Sequence, residues 1–261
     1  MVKVLILRAP GINCDVETKF AFQSAGAESV DVFHINRLLE SSRLLNEYQI
    51  LCLPGGFSYG DDIGAGKIFA SKLSKNLGEI FRSFCDSGKL ILGICNGFQV
   101  LLKSGLLLSD SKDGSLATLA WNEPPVFTDR WVHLRVCDSS CVFLRGIREL
   151  YLPIAHGEGR FVSSGGSDIL SILSNTGQLA LRYVECENPN GSIANVAGVC
   201  DPSGRIFGLM PHPERFLNIF QHPHWTRLIG QKQHDKNDCE YDCDCKGDGF
   251  AIFQNAVSYF L

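Results

Sequence analysis

Apolar residues fall in short near-continuous runs early in the chain and in more interrupted runs later. The runs at residues 2–9, 30–35, 48–53 and 89–94 predict strands buried on both faces. Between them, apolar positions at helical spacing predict helices over 15–25, 37–45, 63–87 and 97–103. In the longest, Ile68, Leu73, Leu77, Ile80, Phe81 and Phe84 mark the buried stripe. Strands alternating with helices require a parallel sheet covered on both faces.

From residue 126 the pattern changes. Runs at 126–136, 142–144, 151–155, 179–183, 193–200 and 206–209 read as strands joined by Gly, Asn, Asp and Pro turns. They lie too close together for a helix between each pair, so some are expected to be antiparallel. A helical turn is expected at 168–173 and a closing amphipathic helix at 250–261. The predicted fold is α/β: one domain over residues 1–261, with a mostly parallel open sheet, helices on both faces and additional antiparallel strands in the second half. Residues 231–250 carry three Lys against five Asp and one Glu, with almost no apolar side chains. Such a composition cannot offset its ordering entropy and predicts a solvated loop, part of a polar insertion at 221–249.

Composition narrows the class. The 261 residues are 45% hydrophobic and 20% charged, as in globular chains, with a formal charge of -4. That balance argues against nucleic-acid binding, which calls for a basic surface. No apolar run reaches the ~18 residues of a membrane span. The N-terminal apolar stretch is too short for a secretion signal and lacks a small-residue cleavage site, so a cytoplasmic location is expected. In that setting the 11 cysteines are expected to be free thiols. Cys52, Cys85, Cys137, Cys186 and Cys200 lie in or beside apolar runs and read as small buried hydrophobes.

Three segments carry candidate chemistry. In Gly93-Ile94-Cys95-Asn96-Gly97 a predicted strand meets a predicted helix, the cysteine counterpart of a nucleophile elbow. The turn strains Cys95, the glycines leave room for neighbouring backbone, and the sulfur stands at a helix N-terminus that favours negative charge. Taken alone, the motif also fits a buried cysteine at a βα turn. Pro54-Gly55-Gly56-Phe57-Ser58-Tyr59-Gly60-Asp61-Asp62 follows another strand, at the edge where open parallel sheets bind ligands. A backbone N–H of Gly56, with that of Asn96, can form an oxyanion hole. Pro211-His212-Pro213-Glu214-Arg215 follows a third strand. Residues two apart in extended chain share a side, so Glu214 can orient His212 as base for Cys95.

Together these segments resemble the class I (triad) glutamine amidotransferases. Asn13-Cys14-Asp15, the run Pro153-Ile154-Ala155-His156-Gly157-Glu158-Gly159-Arg160-Phe161, Leu181-Arg182-Tyr183 and Asn188-Pro189-Asn190-Gly191-Ser192 narrow the likeness. They resemble the subfamily of glutaminase subunits of phosphoribosylformylglycinamidine synthases, which act in de novo purine synthesis. The likeness spans about residues 1–220 and the last helix, whereas 221–249 exceeds the usual family length. It implies a flavodoxin-like fold, hydrolysis of L-glutamine through a Cys95 thioester, and His212 and Glu214 as the other catalytic residues. It further implies an oxyanion hole at Gly56 and Asn96 and substrate contacts from Gly55, Phe57 and Gln99. No metal and no cofactor are expected on this chain. The implied partner is a large ATP-dependent synthetase subunit, which would hold ATP and magnesium, often joined by a small bridging subunit. Tyr59, Asp61, His156, Glu158 and Arg160 are the expected partner-facing residues. Hydrogen bonding within the chain is the alternative for His156, Glu158 and Arg160.

Other readings stay open on the residues alone: an amidotransferase for another acceptor, a catalytically silent binding subunit on the same fold, or a cysteine peptidase with the same elbow. Within the polar segment, His234, Cys239, Cys243 and Cys245 form a weak zinc candidate with irregular spacing.

Overall fold

The computed structural model describes residues 1–110, 114–163, 166–235 and 245–261. In chain order the strands are β1 (Lys3–Arg8), β2 (Ser29–His34), β3 (Ile50–Leu53), β4 (Leu90–Ile94), β5 (Ser109–Asp110), β6 (Gly114–Ser115), β7 (Ala117–Ala120), β8 (Thr128–Val136), β9 (Glu149–His156), β10 (Arg160–Ser163), β11 (Leu179–Tyr183), β12 (Val196–Cys200) and β13 (Ile206–Leu209). The α-helices are α1 (Asp15–Ser24), α2 (Ile35–Glu40), α3 (Lys67–Asp86), α4 (Asn96–Lys103), α5 (Gly166–Asn175), α6 (Trp225–Asp235) and α7 (Phe250–Ser258).

The main sheet runs β2-β1-β3-β4-β13-β12-β11-β8-β9. From β2 to β13 every pairing is parallel, and from β13 to β9 every pairing is antiparallel. Strands β3, β4, β12 and β13 are buried at every position, which is why their sequences read as unbroken apolar runs. The path from β1 to β2 and the path from β3 to β4 run in opposite directions across the sheet. Right-handed crossovers therefore put α1 and α3 on opposite faces. Phe22 of α1 meets Phe253 of α7 edge-on at 5.0 Å, so α7 closes the α1 face, while α4 packs beside α3.

This topology places the site. The C-terminal ends of β1, β3, β4 and β13 share one sheet edge, with the strand order reversing at β1/β3. Four successive antiparallel steps bring β9 back to the direction of β13, so its C-terminal end points to that edge as well. The antiparallel half curls far enough for Pro153 O of β9 to accept from His212 N–H at 2.8 Å.

Several expectations are corrected. Val142–Leu144 is a 3-10 turn, not a strand. Asn255 of α7 donates to the carbonyls of Phe143 and Arg145, which caps that turn against the helix. Residues 193–195 likewise form a 3-10 turn before β12, with Ala194 at φ 46° and Asn195 at φ 59°. The helix expected at 37–45 is α2 followed by a 3-10 turn at Ser42–Glu47. The antiparallel pair β7 and β10 was not foreseen. Cys186 is exposed in the turn Glu185–Glu187, not buried.

The polar segment also differs from a solvated loop. Helix α6 occupies Trp225–Asp235. Residues 245–249 are docked: Cys245 O accepts from Ile219 N–H, and Gly247 and Gly249 N–H donate to Leu217 O and Phe216 O. Asp248 accepts from Tyr151 N–H at 2.7 Å. Of the zinc candidates, Cys239 and Cys243 lie outside the described residues.

Candidate active site

Cys95 closes β4 and opens α4. Its backbone sits at φ 50° and ψ −102°, a region that side chains rarely adopt. Such a conformation costs on the order of 1–3 kcal/mol and persists only where its surroundings impose it. Here Cys95 N–H donates to Leu209 O at 2.8 Å, and Cys95 O accepts from Gln99 N–H at 3.1 Å. Gly97 lets the turn press onto β3, since a Cβ there would lie 1.9 Å from the Leu53 carbonyl oxygen. The sulfur stands at the N-terminus of α4, where unpaired N–H groups and the helix dipole favour negative charge.

The loop after β13 delivers the second group. A 3-10 turn, Pro213–Arg215, carries Glu214 alongside His212, whose Nδ1 donates to Glu214 Oε1 at 2.6 Å. Both side chains are buried, at 2% and 1% exposure. Nδ1 is thereby committed, and Nε2 has no hydrogen-bond partner among the described residues. Burial alone would lower the His212 pKa. The Glu214 carboxylate, and after it the Cys95 side chain, raise it, so the imidazole stays cationic well above its ordinary range. The influence of Cys95 on His212 is electrostatic.

The two glycines after β3 divide their work. Gly55 backs the imidazole: a Cβ there would meet His212 Cε1 at 2.8 Å. That places Gly55, one of the expected substrate contacts, directly behind the catalytic histidine. Gly56 does line the pocket, with Phe57, Cys95, Gln99 and His156, around a cavity of about 290 Å³. The loop is braced by the segment after β1, since Phe57 N–H donates to Gly11 O and Cys14 N–H to Gly55 O. Asn96 begins α4, a position whose N–H has no intrahelical acceptor.

Gln99 is buried and its amide is spent within the chain. Nε2 donates to Glu158 O at 2.6 Å, and Oε1 accepts from Asn96 Nδ2 at 2.8 Å. Asn96 Nδ2 also reaches Asp61 Oδ1 at 3.3 Å, while Asn96 Oδ1 accepts from Ser58 N–H. Glu158 Oε2 accepts from Ala65 N–H at 3.2 Å and lies 3.8 Å from Lys103 Nζ. Burial raises the Asp61 carboxyl above its usual range. Asp61 and Glu158 thus tie the 58–66 loop to α4.

Of the other residues expected to face a partner, Tyr59 is half-buried at φ 57°, with Lys72 over its ring. Arg160 pairs with Glu123. His156 is buried and faces the pocket. Its Nδ1 bonds Asn122 Oδ1 at 3.1 Å, and its Nε2 has no partner among the described residues. Burial first, then the nearby His212 charge, lower its pKa to about 3, so it stays neutral.

Several site residues have no place in the sequence reading. Trp121 and Phe127 line the pocket mouth, both largely exposed, and Asn122 fixes His156. They flank the turn Glu123-Pro124-Pro125, whose one signal was aromatic residues in a proline-rich turn. Ala155 O lies 3.9 Å from Cys95 Sγ through the return of β9. Among the described residues, one group of metal-type side chains is close together: Cys14, His212 and Glu214, with donor atoms within 4.8 Å of one another.

Known proteins similar to this chain identify its family. The profile of the CobB/CobQ-like glutamine amidotransferase domain matches residues 1–260. The phosphoribosylformylglycinamidine synthase subunit PurQ of Dehalococcoides mccartyi is 46% identical over 268 residues, covering 99% of this chain and 97% of that protein. A PurQ subunit from Methanococcus maripaludis is 43% identical over 270 residues, covering 99% and 97%. Among solved structures, a chain in the structure of PurLQS from Thermotoga maritima is 30% identical, with a TM-score of 0.72 and coverage of 100% and 99%. A glutamine amidotransferase from Thermotoga maritima shares the fold at 16% identity and a TM-score of 0.57, covering 98% and 96%. A domain profile spanning nearly every residue, and relatives this similar along their whole length, show that the chain belongs to the CobB/CobQ-like glutamine amidotransferase family.

Proposed function

We propose that this chain is the glutaminase subunit of a phosphoribosylformylglycinamidine synthase, hydrolysing L-glutamine and passing the ammonia to a synthetase partner. The observation that carries the chemistry is the buried His212–Glu214 pair coupled to Cys95 at the strained strand-to-helix turn. The acceptor and the pathway rest on the likeness to PurQ subunits.

In the reaction the Cys95 thiolate attacks the side-chain amide carbon of glutamine. The oxyanion is held by backbone N–H groups of Gly56 and Asn96, an arrangement in which one donor is typically worth ~10²–10³ in turnover. The His212 imidazolium gives its proton to the amide nitrogen as the C–N bond breaks, and ammonia leaves. A γ-glutamyl thioester remains on Cys95. Neutral His212 then takes a proton from water, the hydroxide adds to the thioester, and the C–S bond breaks to give glutamate. Thiolate and imidazolium are restored. Glu214 keeps Nε2 aimed at the sulfur throughout. His156, neutral and with Nε2 unpartnered, offers the pocket a hydrogen-bond acceptor.

The large subunit is the proposed holder of ATP and magnesium, joined by a small bridging subunit, in a cytoplasmic complex. Phe57, Trp121 and Phe127 form an exposed apolar rim at the pocket mouth, where the partner would receive ammonia. Among the described residues no helix is long and apolar enough to cross a membrane.

The test is treatment with a diazo-ketone analogue of glutamine, followed by peptide mass spectrometry. A single adduct on Cys95, blocked by excess glutamine, is the expected result. Labelling elsewhere, or none, overturns the reading.

A further inference from the structure

Cys14 takes no part in the thioester chemistry, yet it lies against the catalytic pair. A methyl group on Gly55 would sit 3.1 Å from the Cys14 sulfur and 3.3 Å from His212 Nδ1, the nitrogen bonded to Glu214. The sulfur also lies within 4.8 Å of a Glu214 oxygen. Arg215, the next residue after Glu214 in the same 3-10 turn, donates from Nη2 to Cys14 Sγ at 3.2 Å. Its Nε donates to Glu17 Oε1 at 3.0 Å.

This arrangement meets a real hazard. Guanidinium and carboxylate form strong two-pronged pairs. Glu214 Oε2 is buried without a hydrogen-bond partner among the described residues, one position along the chain from Arg215. A guanidinium free to turn would compete with His212 for that carboxylate. Instead two of its nitrogens are engaged, by Glu17 and by Cys14. We propose that Cys14 is a positioning residue that holds Arg215 beside Glu214 while keeping the guanidinium from taking the carboxylate away from His212.

The details of Cys14 suit that work. Its N–H donates to Gly55 O at 3.2 Å, and its carbonyl accepts from Thr18 Oγ1 at 2.6 Å, so its backbone is fixed to the loop behind the imidazole. Its thiol points to Asn13 Oδ1 at 3.3 Å. Burial pushes the thiol up to about 11, against the pull of His212, so the group is neutral and offers Arg215 a lone pair. A neutral sulfur is a weak acceptor. It guides the guanidinium without adding a second negative charge next to Glu214.

The inference rests on the proposed glutaminase reading, and the experiment keeps the two apart. Glutamine hydrolysis by the full wild-type chain with its synthetase partner tests the reading, and the variants test Cys14. Cys14→Ala and Cys14→Val are expected to lower kcat by about 10²-fold, the scale of a small misplacement of a catalytic group, with little change in KM. The alkaline limb of kcat moves to lower pH, because an imidazole less firmly held by Glu214 loses its proton sooner. Cys14→Ser, which can still accept from Arg215, recovers most of the rate and the wild-type limb. The decisive variant is Cys14→Ala combined with Arg215→Gln. Removing the competing guanidinium makes the double variant faster than Cys14→Ala alone. Wild-type kcat and pH limb in both Cys14→Ala and Cys14→Val overturn the inference. So does a double variant no faster than Cys14→Ala. If the alanine variant does not fold, the valine pair, with and without Arg215→Gln, answers the same question.

Discussion

At the residue scale, the site works because two histidines with the same side chain are pushed in opposite directions. His212 has a carboxylate at 2.6 Å and is held cationic, whereas His156 has an amide partner and a buried setting and is held neutral. The opposition appears in stability as well as catalysis. His156 titrates near 3 when folded and near its ordinary 6.5 when unfolded. Its contribution is therefore present above 6.5 and is lost as pH falls from there toward 3. His212 titrates above 6.5 when folded, so its contribution is full below 6.5 and is lost as pH rises through its folded value. For His156 the loss is at most about 1.4 kcal/mol per pH unit. Urea denaturation of wild type and His156→Gln between about pH 6.5 and 5 should show a steeper fall in wild type. Parallel slopes would remove His156 from the account. For the catalytic pair, Glu214→Gln should preserve the fold by circular dichroism and reduce kcat by roughly 10²–10⁴, since the amide no longer supports an imidazolium. Wild-type turnover in that variant would exclude Glu214 from the triad.

At the scale of elements, the strand-to-helix turn at Cys95 depends on the close approach of α4 to β3. Gly97→Ala forces a methyl to within 1.9 Å of the Leu53 carbonyl oxygen, and backbone has to move. Destabilisation of about 1–3 kcal/mol is expected, with loss of Cys95 labelling. Gly78, inside α3, has nothing within 4 Å of its would-be Cβ. Gly78→Ala should stabilise by about 0.5–1 kcal/mol through helix propensity alone. Chemical denaturation of the two variants checks both signs, and a stabilising Gly97→Ala would contradict the packing argument. The parallel half was legible because β3 and β4 are apolar throughout and the long helix α3 has a clear stripe. Val142–Leu144 was misread because three apolar residues have no period. Helix α6 was missed because its second half, QKQHD, is polar throughout and resembles the segment that follows it in sequence.

At the scale of the whole molecule, a parallel sheet edge collects the nucleophile, the glycine loop and the histidine loop from strands far apart in sequence. On the proposed function, ammonia made there passes to a synthetase partner at the pocket mouth. In a reconstituted complex, Cys95→Ala should abolish glutamine-dependent synthesis and leave ammonia-dependent synthesis intact, because the synthetase step needs only the product of this chain. Loss of both activities would make Cys95 structural. Trp121→Asp, on the exposed rim, should weaken association with the synthetase, measured by analytical ultracentrifugation, while the isolated chain keeps its Cys95 labelling. Unchanged association would place the interface elsewhere.

The sequence by itself determined the alternation of strands and helices, the strained cysteine turn, and the order of cysteine, histidine and carboxylate. These are local matters: periodic burial and short-range backbone geometry are written in neighbouring residues. Only the tertiary structure decided that Gly55 backs the imidazole, that His156 faces the pocket, that Ala155 reaches the sulfur and that Cys14 meets Arg215. Those contacts depend on how far the antiparallel half of the sheet curls and where loops from four strands converge. Residues brought together in that way share no spacing along the chain that could announce them.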